Sequence, residues 1–182
     1  MAPPSDADGR ERFEALVGAV YVPLQRYLRR RTDAASADDV LGDVLLVMWR
    51  RAEDIPDDAP LAWCYGVARG ALANTARGAR RHERLVRRLV QVAEPPVTEP
   101  SLDPALDAAL AALSAADREV LRLWAWEGLP PREIAVALGI TANTASIRLH
   151  RATRRLRDRL AAGKNQGRGG HLGEQQGTEA PR

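Results

Sequence analysis

The chain has 182 residues, 4% of them aromatic, with 12 prolines, 14 glycines and a single cysteine; that length suits one ordinary domain or two small ones, each with a modest core. Cys64 alone cannot close an internal disulfide, which argues against a secreted, stapled scaffold and for a reducing compartment. The formal net charge of +3 hides an uneven distribution: acidic residues crowd the early segments, and the blocks 77–88 and 148–159 carry six arginines each.

Lys164 is the only lysine in the sequence. A GC-rich genome produces such an arginine bias without any function, but clustering in two blocks favours an anionic partner. An N-terminal apolar h-region is lacking, as is any run of apolar residues long enough to span a bilayer. The expected location is therefore the cytoplasm, without membrane insertion.

Along the chain, "MAPPSDADG" (1–9) reads as a disordered polar leader. A first helical unit is expected over 10–90. Its opening stretch, "RFEALVGAVYVPLQRYLRRR", is one helix or a pair interrupted at Pro23. "SADDVLGDVLLVMWRRAE" is a second helix, with Ser36 as N-cap and Asp38 and Asp39 in its first turn. Here Val40, Val44, Val47 and Met48 form one apolar face, while Leu46 and Trp49 fall on the other side beside Asp39 and Asp43. A helix apolar on both sides is either central to a core or partnered by another protein, and both readings stand. The carboxylates have no His or Cys beside them, so no metal site and no cofactor is expected.

After the turn "DIPDDAP", a long helix covers "LAWCYGVARGALANTARGARRHERLVRRL". Trp63, Val67, Gly70, Asn74, Arg77 and Arg81 share a stripe at helical spacing. An aromatic ring, an amide and arginines on one line suit a nucleic-acid strand, stacking on bases and holding phosphates. The plainer alternative puts Trp63 and Val67 in the core and leaves the arginines solvated.

"QVAEPPVTEPSLDP" (91–104), with four prolines, reads as a linker. A second helical unit is expected over 105–162, and a Gly- and Gln-rich disordered tail over 163–182. Within that unit, "LSAADREVLRLWAWEG" carries Ser114 as N-cap and Gly128 as stop, and "PPREIAVALG" starts with prolines and stops at Gly139. Thr141 then caps a last helix from 142 to about 161. Two helices joined through Gly139 make a helix-turn-helix. On the last helix Ala145, Leu149, Ala152, Leu156 and Leu160 form a core stripe. The opposite face holds Asn143, Ile147, His150, Arg151 and Arg154, with Arg148, Arg155, Arg157 and Arg159 on the flanks. Such a face fits a DNA major groove, the short polar residues reaching base edges and the arginines reaching phosphates. A merely solvated basic face is the competing account.

With these blocks in place, the sequence resembles the extracytoplasmic-function sigma factors, small initiation subunits of bacterial RNA polymerase. "ADDVLGDVLLVMWRR" is similar to their region 2 polymerase-binding helix. "AWCYGVARGALANTARGARR" is similar to the following helix, which melts and reads the −10 element, and the 113–156 block to region 4, the −35 reader. The resemblance implies an all-α protein of two small helical domains, with no catalytic site. It implies that Asp39, Asp43, Leu46 and Trp49 dock on the beta-prime clamp helices of core polymerase. It further implies that Asn74, Arg77, Arg80 and Arg81 face −10 DNA, where Trp63 of the same stripe joins them. Asn143, Ser146, Ile147, Arg148, His150 and Arg151 would face the −35 groove, with Arg154 beside them. Core polymerase, promoter DNA and an anti-sigma protein are the implied partners. A stand-alone helix-turn-helix regulator leaves the two-faced helix unexplained, and a protein-interaction adaptor leaves both arginine blocks idle.

Overall fold

A computed structural model describes residues 7–87 and 103–169, with side chains over 9–78 and 103–163. Seven α-helices and no strand occur among the described residues: α1 (Ala7–Arg29), α2 (Ala34–Arg50), α3 (Pro60–Arg87), α4 (Pro104–Ala111), α5 (Ala115–Ala125), α6 (Pro131–Leu138) and α7 (Ala142–Gly169), with a 3-10 turn at Ala52–Asp54. The expected all-helical class holds. The 91–104 linker lies outside the described residues up to position 102. Its last two residues belong instead to α4, where Asp103 caps and Pro104 takes the first turn.

Several helix ends differ from the sequence expectation. α2 is capped by Asp33, not Ser36: the Asp33 carboxylate accepts from the Ser36 backbone N–H, which holds its carboxyl below the usual carboxylate range. α1 passes through Pro23 unbroken and begins at Ala7, inside the expected leader. α7 runs on to Gly169, past the expected boundary at 162. The remaining caps stand. The Ser114 hydroxyl accepts from the Asp117 N–H, and the Thr141 hydroxyl accepts from the Thr144 N–H at 3.2 Å. Gly139 ends α6 in the left-handed region, φ 62°, which a residue with a Cβ adopts only at a cost.

α1, α2 and α3 pack on one another, as do α4 to α7, but the two groups also share one core. Val20, Leu24, Tyr27, Val40, Val44, Met48, Cys64 and Tyr65 from the first group are continuous with Val120, Leu123, Leu129, Ile134 and Ala137 from the second. Between the groups, α3 packs against α6. A Cβ added at Gly66 would lie 3.1 Å from the Ala137 carbonyl oxygen, so this glycine is what lets the two backbones meet. The apolar stripe of α7 begins in the shared core with Ala145 and continues into the smaller core of the second group with Ala152 and Leu156, Leu149 touching both; Ala145 and Ala152 are fully buried.

Candidate nucleic-acid and polymerase interfaces

On α7, Gly139 and the Thr141 cap set the direction in which the helix leaves α6. With Ala145, Ala152, Leu149 and Leu156 turned inward, the residues between them must face solvent. Asn143, Ser146, Ile147, Arg148, His150, Arg151 and Arg154 are all exposed, Ile147 by 42%. All seven residues expected to face the −35 groove are therefore open to solvent, with Arg148 on the flank of that face. Arg154 makes only a loose contact with Asp158 (3.9 Å), and the Ser146 hydroxyl donates to the Ala142 carbonyl one turn back (3.0 Å). Arg155 leaves the basic surface for a structural task. It pairs at 2.5 Å with Asp117, a buried carboxylate on α5, and so fastens α7 to α5.

On α3, the proposed strand-facing stripe divides. Trp63 and Val67 are half-buried and pack on the core, so the plainer reading applies to them. Trp63 still shows part of its ring, over which the Arg51 guanidinium sits 5.6 Å from the centroid. Asn74 and Arg77 are exposed one turn apart, the Arg77 guanidinium donating to the Asn74 carbonyl oxygen. Arg80 and Arg81 lie on the same helix, with side chains outside the described residues. The acidic turn before α3 is pinned: Asp54 pairs with Arg51 and Asp57 with Arg12, each at 2.8 Å, while Ile55 is buried as its anchor.

On α2, Asp39, Asp43 and Leu46 face solvent, Leu46 with 45% of its surface free. Trp49 departs from the expectation of a free docking residue. Its ring meets the edge of Phe13 on α1 (centroids 5.0 Å, planes at 78°), so it is half covered by its own chain. The helix over 12–31 was legible, but nothing in its sequence says that Phe13 ends up over α2.

The cluster that sequence reasoning missed joins the two groups of helices. Glu127, with a side chain only 2% exposed, accepts from Arg31 at 3.1 Å and pairs with Arg30 at 2.5 Å. The Arg31 guanidinium lies 3.6 Å over the Tyr27 ring and 3.5 Å from Glu119, and Tyr27 donates to Glu119 at 3.3 Å. Tyr27 stacks on Tyr65 at 4.6 Å. Burial, reinforced by Glu119 for Tyr27 and by Glu127 for Tyr65, raises both phenols well above the ordinary range, and burial pushes the Cys64 thiol up to about 12. The only sequence cue was "RYLRRR", which reads as a helix end. Its ion partners lie about ninety residues away, and pairing over that distance leaves no local pattern.

Among the described residues no group of metal-ligating side chains gathers, and no helix is long and apolar enough to cross a membrane.

The chain matches the family Sigma-70 region 2 over residues 16–82 and the family Sigma-70, region 4 over residues 104–156. It is 38% identical over 156 residues to the ECF RNA polymerase sigma factor SigL of Mycobacterium tuberculosis, covering 79% of this chain and 88% of that protein. Its fold is similar to that of the sigma factor RpoE from Bartonella quintana, solved in complex with the anti-sigma factor NepR: TM-score 0.57, 24% identity, 82% of this chain and 96% of the other. CnrH, solved with the cytosolic domain of CnrY, has a TM-score of 0.56 at 23% identity, covering 87% and 91%.

Proposed function

The chain belongs to the extracytoplasmic-function sigma factors of bacterial RNA polymerase, and from that membership we propose how its surfaces divide the work. As a sigma factor it directs polymerase to promoters and starts transcription there. In the proposed division, the exposed face of α7 lies in the major groove of the −35 element. Asn143 and His150 approach base edges there, Ile147 offers an apolar contact, and Arg148, Arg151 and Arg154 hold phosphates. The end of α3, with Asn74, Arg77, Arg80 and Arg81, faces −10 DNA, and the exposed part of Trp63 offers a stacking surface. Asp39, Asp43 and Leu46 meet core polymerase at the beta-prime clamp helices, and Trp49 contributes only the edge that Phe13 leaves open. No catalytic site, cofactor or metal has a part in this scheme, and its place is the cytoplasm.

The observation that carries the reading is that all seven residues proposed for the −35 contact are exposed on α7, Arg148 on the flank, while the alternate side is buried. The solved relatives in this fold were captured with an anti-sigma factor and with CnrY, and we assign this chain a partner of the anti-sigma kind as well. Copurification of the full chain with core polymerase tests the docking face. Leu46→Ala should lower retention with helicity by circular dichroism unchanged, and equal retention would remove α2 from the interface.

A further inference from the structure

Between the end of α1, the start of α2, the middle of α3 and α5 lies a cleft of about 740 Å³, outside all the surfaces assigned above. Arg31 from the turn after α1, Arg69 from α3 and Arg122 from α5 all line it, as do the hydroxyl-bearing side chains of Thr32, Ser36 and Thr75.

Arg31 is the unusual member. Its side chain is 9% exposed, yet Nε has no hydrogen-bond partner and Nη2 has only the ion-pair contact with Glu119 at 3.5 Å, which makes no hydrogen bond, although Nη1 serves Glu127 and the Tyr27 carbonyl. A buried guanidinium donor without an acceptor is costly, and native proteins rarely leave one so. Arg69 and Arg122 form none of the ion pairs found among the described residues. Burial, and then the nearby charge of Arg31, lowers the pKa of Arg122, the mark of a cation that has company of its own sign. The carboxylates that face the cleft are Glu119, 3.5 Å from Arg31 Nη2, and Asp33. Asp33 already serves the α2 cap, and Glu119 also takes the Tyr27 hydroxyl. Neither completes the arginine donors.

We propose that this cleft binds a small, free phosphate-bearing anion, of the polyphosphate class, through Arg31, Arg69 and Arg122. Its tetrahedral oxygens supply the acceptors that the guanidinium forks lack, the geometry in which arginine exceeds lysine. Because Arg31 and Arg69 come from the first group of helices and Arg122 from the second, the anion bridges the two. It binds the packed arrangement and not one in which α5 has moved off α1, and so favours the packed one.

Inorganic pyrophosphate is the probe, titrated into the full chain by calorimetry at fixed ionic strength and checked by thermal melts. Saturable binding of one pyrophosphate and a raised melting temperature are expected. Arg69→Ala and Arg122→Ala, which disturb no ion pair among the described residues, should each weaken binding by about tenfold or more, whereas Arg132→Ala on the exposed side of α6 should leave it unchanged. Glu119→Gln should tighten binding, because it removes the carboxylate that competes for Arg31. Arg69→Lys should retain less than the native affinity if the fork matters. Non-saturable binding overturns the proposal, as does an equal loss in Arg132→Ala. Competitive displacement of pyrophosphate by a short DNA duplex would also overturn it, since the cleft would then be part of the DNA surface.

Discussion

Two sets of arginines look alike in the sequence and do opposite things in the fold. Arg30 and Arg31 close the end of α1 against Glu127, a carboxylate with 2% of its surface exposed, and one of them lies flat on a buried tyrosine. Arg148, Arg151 and Arg154 on α7 stand in solvent with no strong partner. In the first set desolvation makes Arg31 and Glu127 depend on each other, with Arg30 joining from the exposed side, so the cluster fixes how the two groups of helices sit. In the second set the charges stay hydrated and available, and in the proposed scheme their worth is realised against phosphate. A buried carboxylate partner, not residue type, separates the arginines that hold the helices together from those left open to solvent on α7.

The largest expected effect lies on the buried side of this comparison. Glu127→Ala leaves Arg31 buried without its main acceptor and should cost about 3 kcal/mol of unfolding free energy, read from urea denaturation. Arg148→Ala, by contrast, should stay within about 0.5 kcal/mol. Equal costs would mean that the interface pair is as hydrated as the α7 face.

Next comes the backbone contact that sets the same interface. Gly66→Leu inserts a side chain where a Cβ alone is 3.1 Å from the Ala137 oxygen, so α3 and α6 must separate at a cost of about 1–3 kcal/mol. Gly70, with open space around it, is the control: Gly70→Ala should stabilise α3 by up to about 1 kcal/mol through helix propensity.

On the exposed side the effects move from stability to recognition. Asn143→Ala and His150→Ala should lose about 1–3 kcal/mol of discrimination at particular −35 positions. Arg151→Ala and Arg154→Ala should weaken binding to all duplexes alike, lowering the log–log salt slope by about one. Binding of duplex variants across a salt series distinguishes the two patterns. Unchanged affinity, preference and slope in Asn143→Ala and Arg151→Ala together would reduce the face to solvated surface.

The last effect, absent at neutral pH, is on pH dependence. The Cys64 thiol and the Tyr27 and Tyr65 phenols are all raised above their ordinary values of 9.0 and 10.0. The folded state thus favours their neutral forms more than the unfolded chain does. The stability they contribute is complete below about pH 9 and is lost as pH rises through the folded values. Denaturant midpoints should hold from neutral pH to about 9 and fall above it, and Cys64 should resist thiol reagents until the protein unfolds.

Much of this was legible before any coordinates. The period of Ala145, Leu149, Ala152 and Leu156 fixed which side of α7 is free, and Ser114, Gly139 and Thr141 marked their helix ends through local hydrogen bonding and backbone preference. Local rules reached that far. They named Ser36 as the cap of α2 because Asp33 lay one turn earlier, outside the apolar repeat. They left Trp49 open to solvent because its cover, Phe13, comes from another helix. The Arg31–Glu127 pair, 96 residues apart in sequence, and the contact of Gly66 with Ala137 depend on how α5 and α6 close over α1 and α3. No periodicity within one segment encodes such a meeting.

The most direct test of the central account is run-off transcription with core polymerase and a promoter library, with the native chain compared with Asn143→Ala and Arg151→Ala. The account predicts discrete transcripts from a small promoter set, a shifted set with Asn143→Ala, and a uniformly weaker set with Arg151→Ala. Transcripts that are indifferent to both substitutions would contradict it, because the promoter would then be chosen without the exposed face of α7.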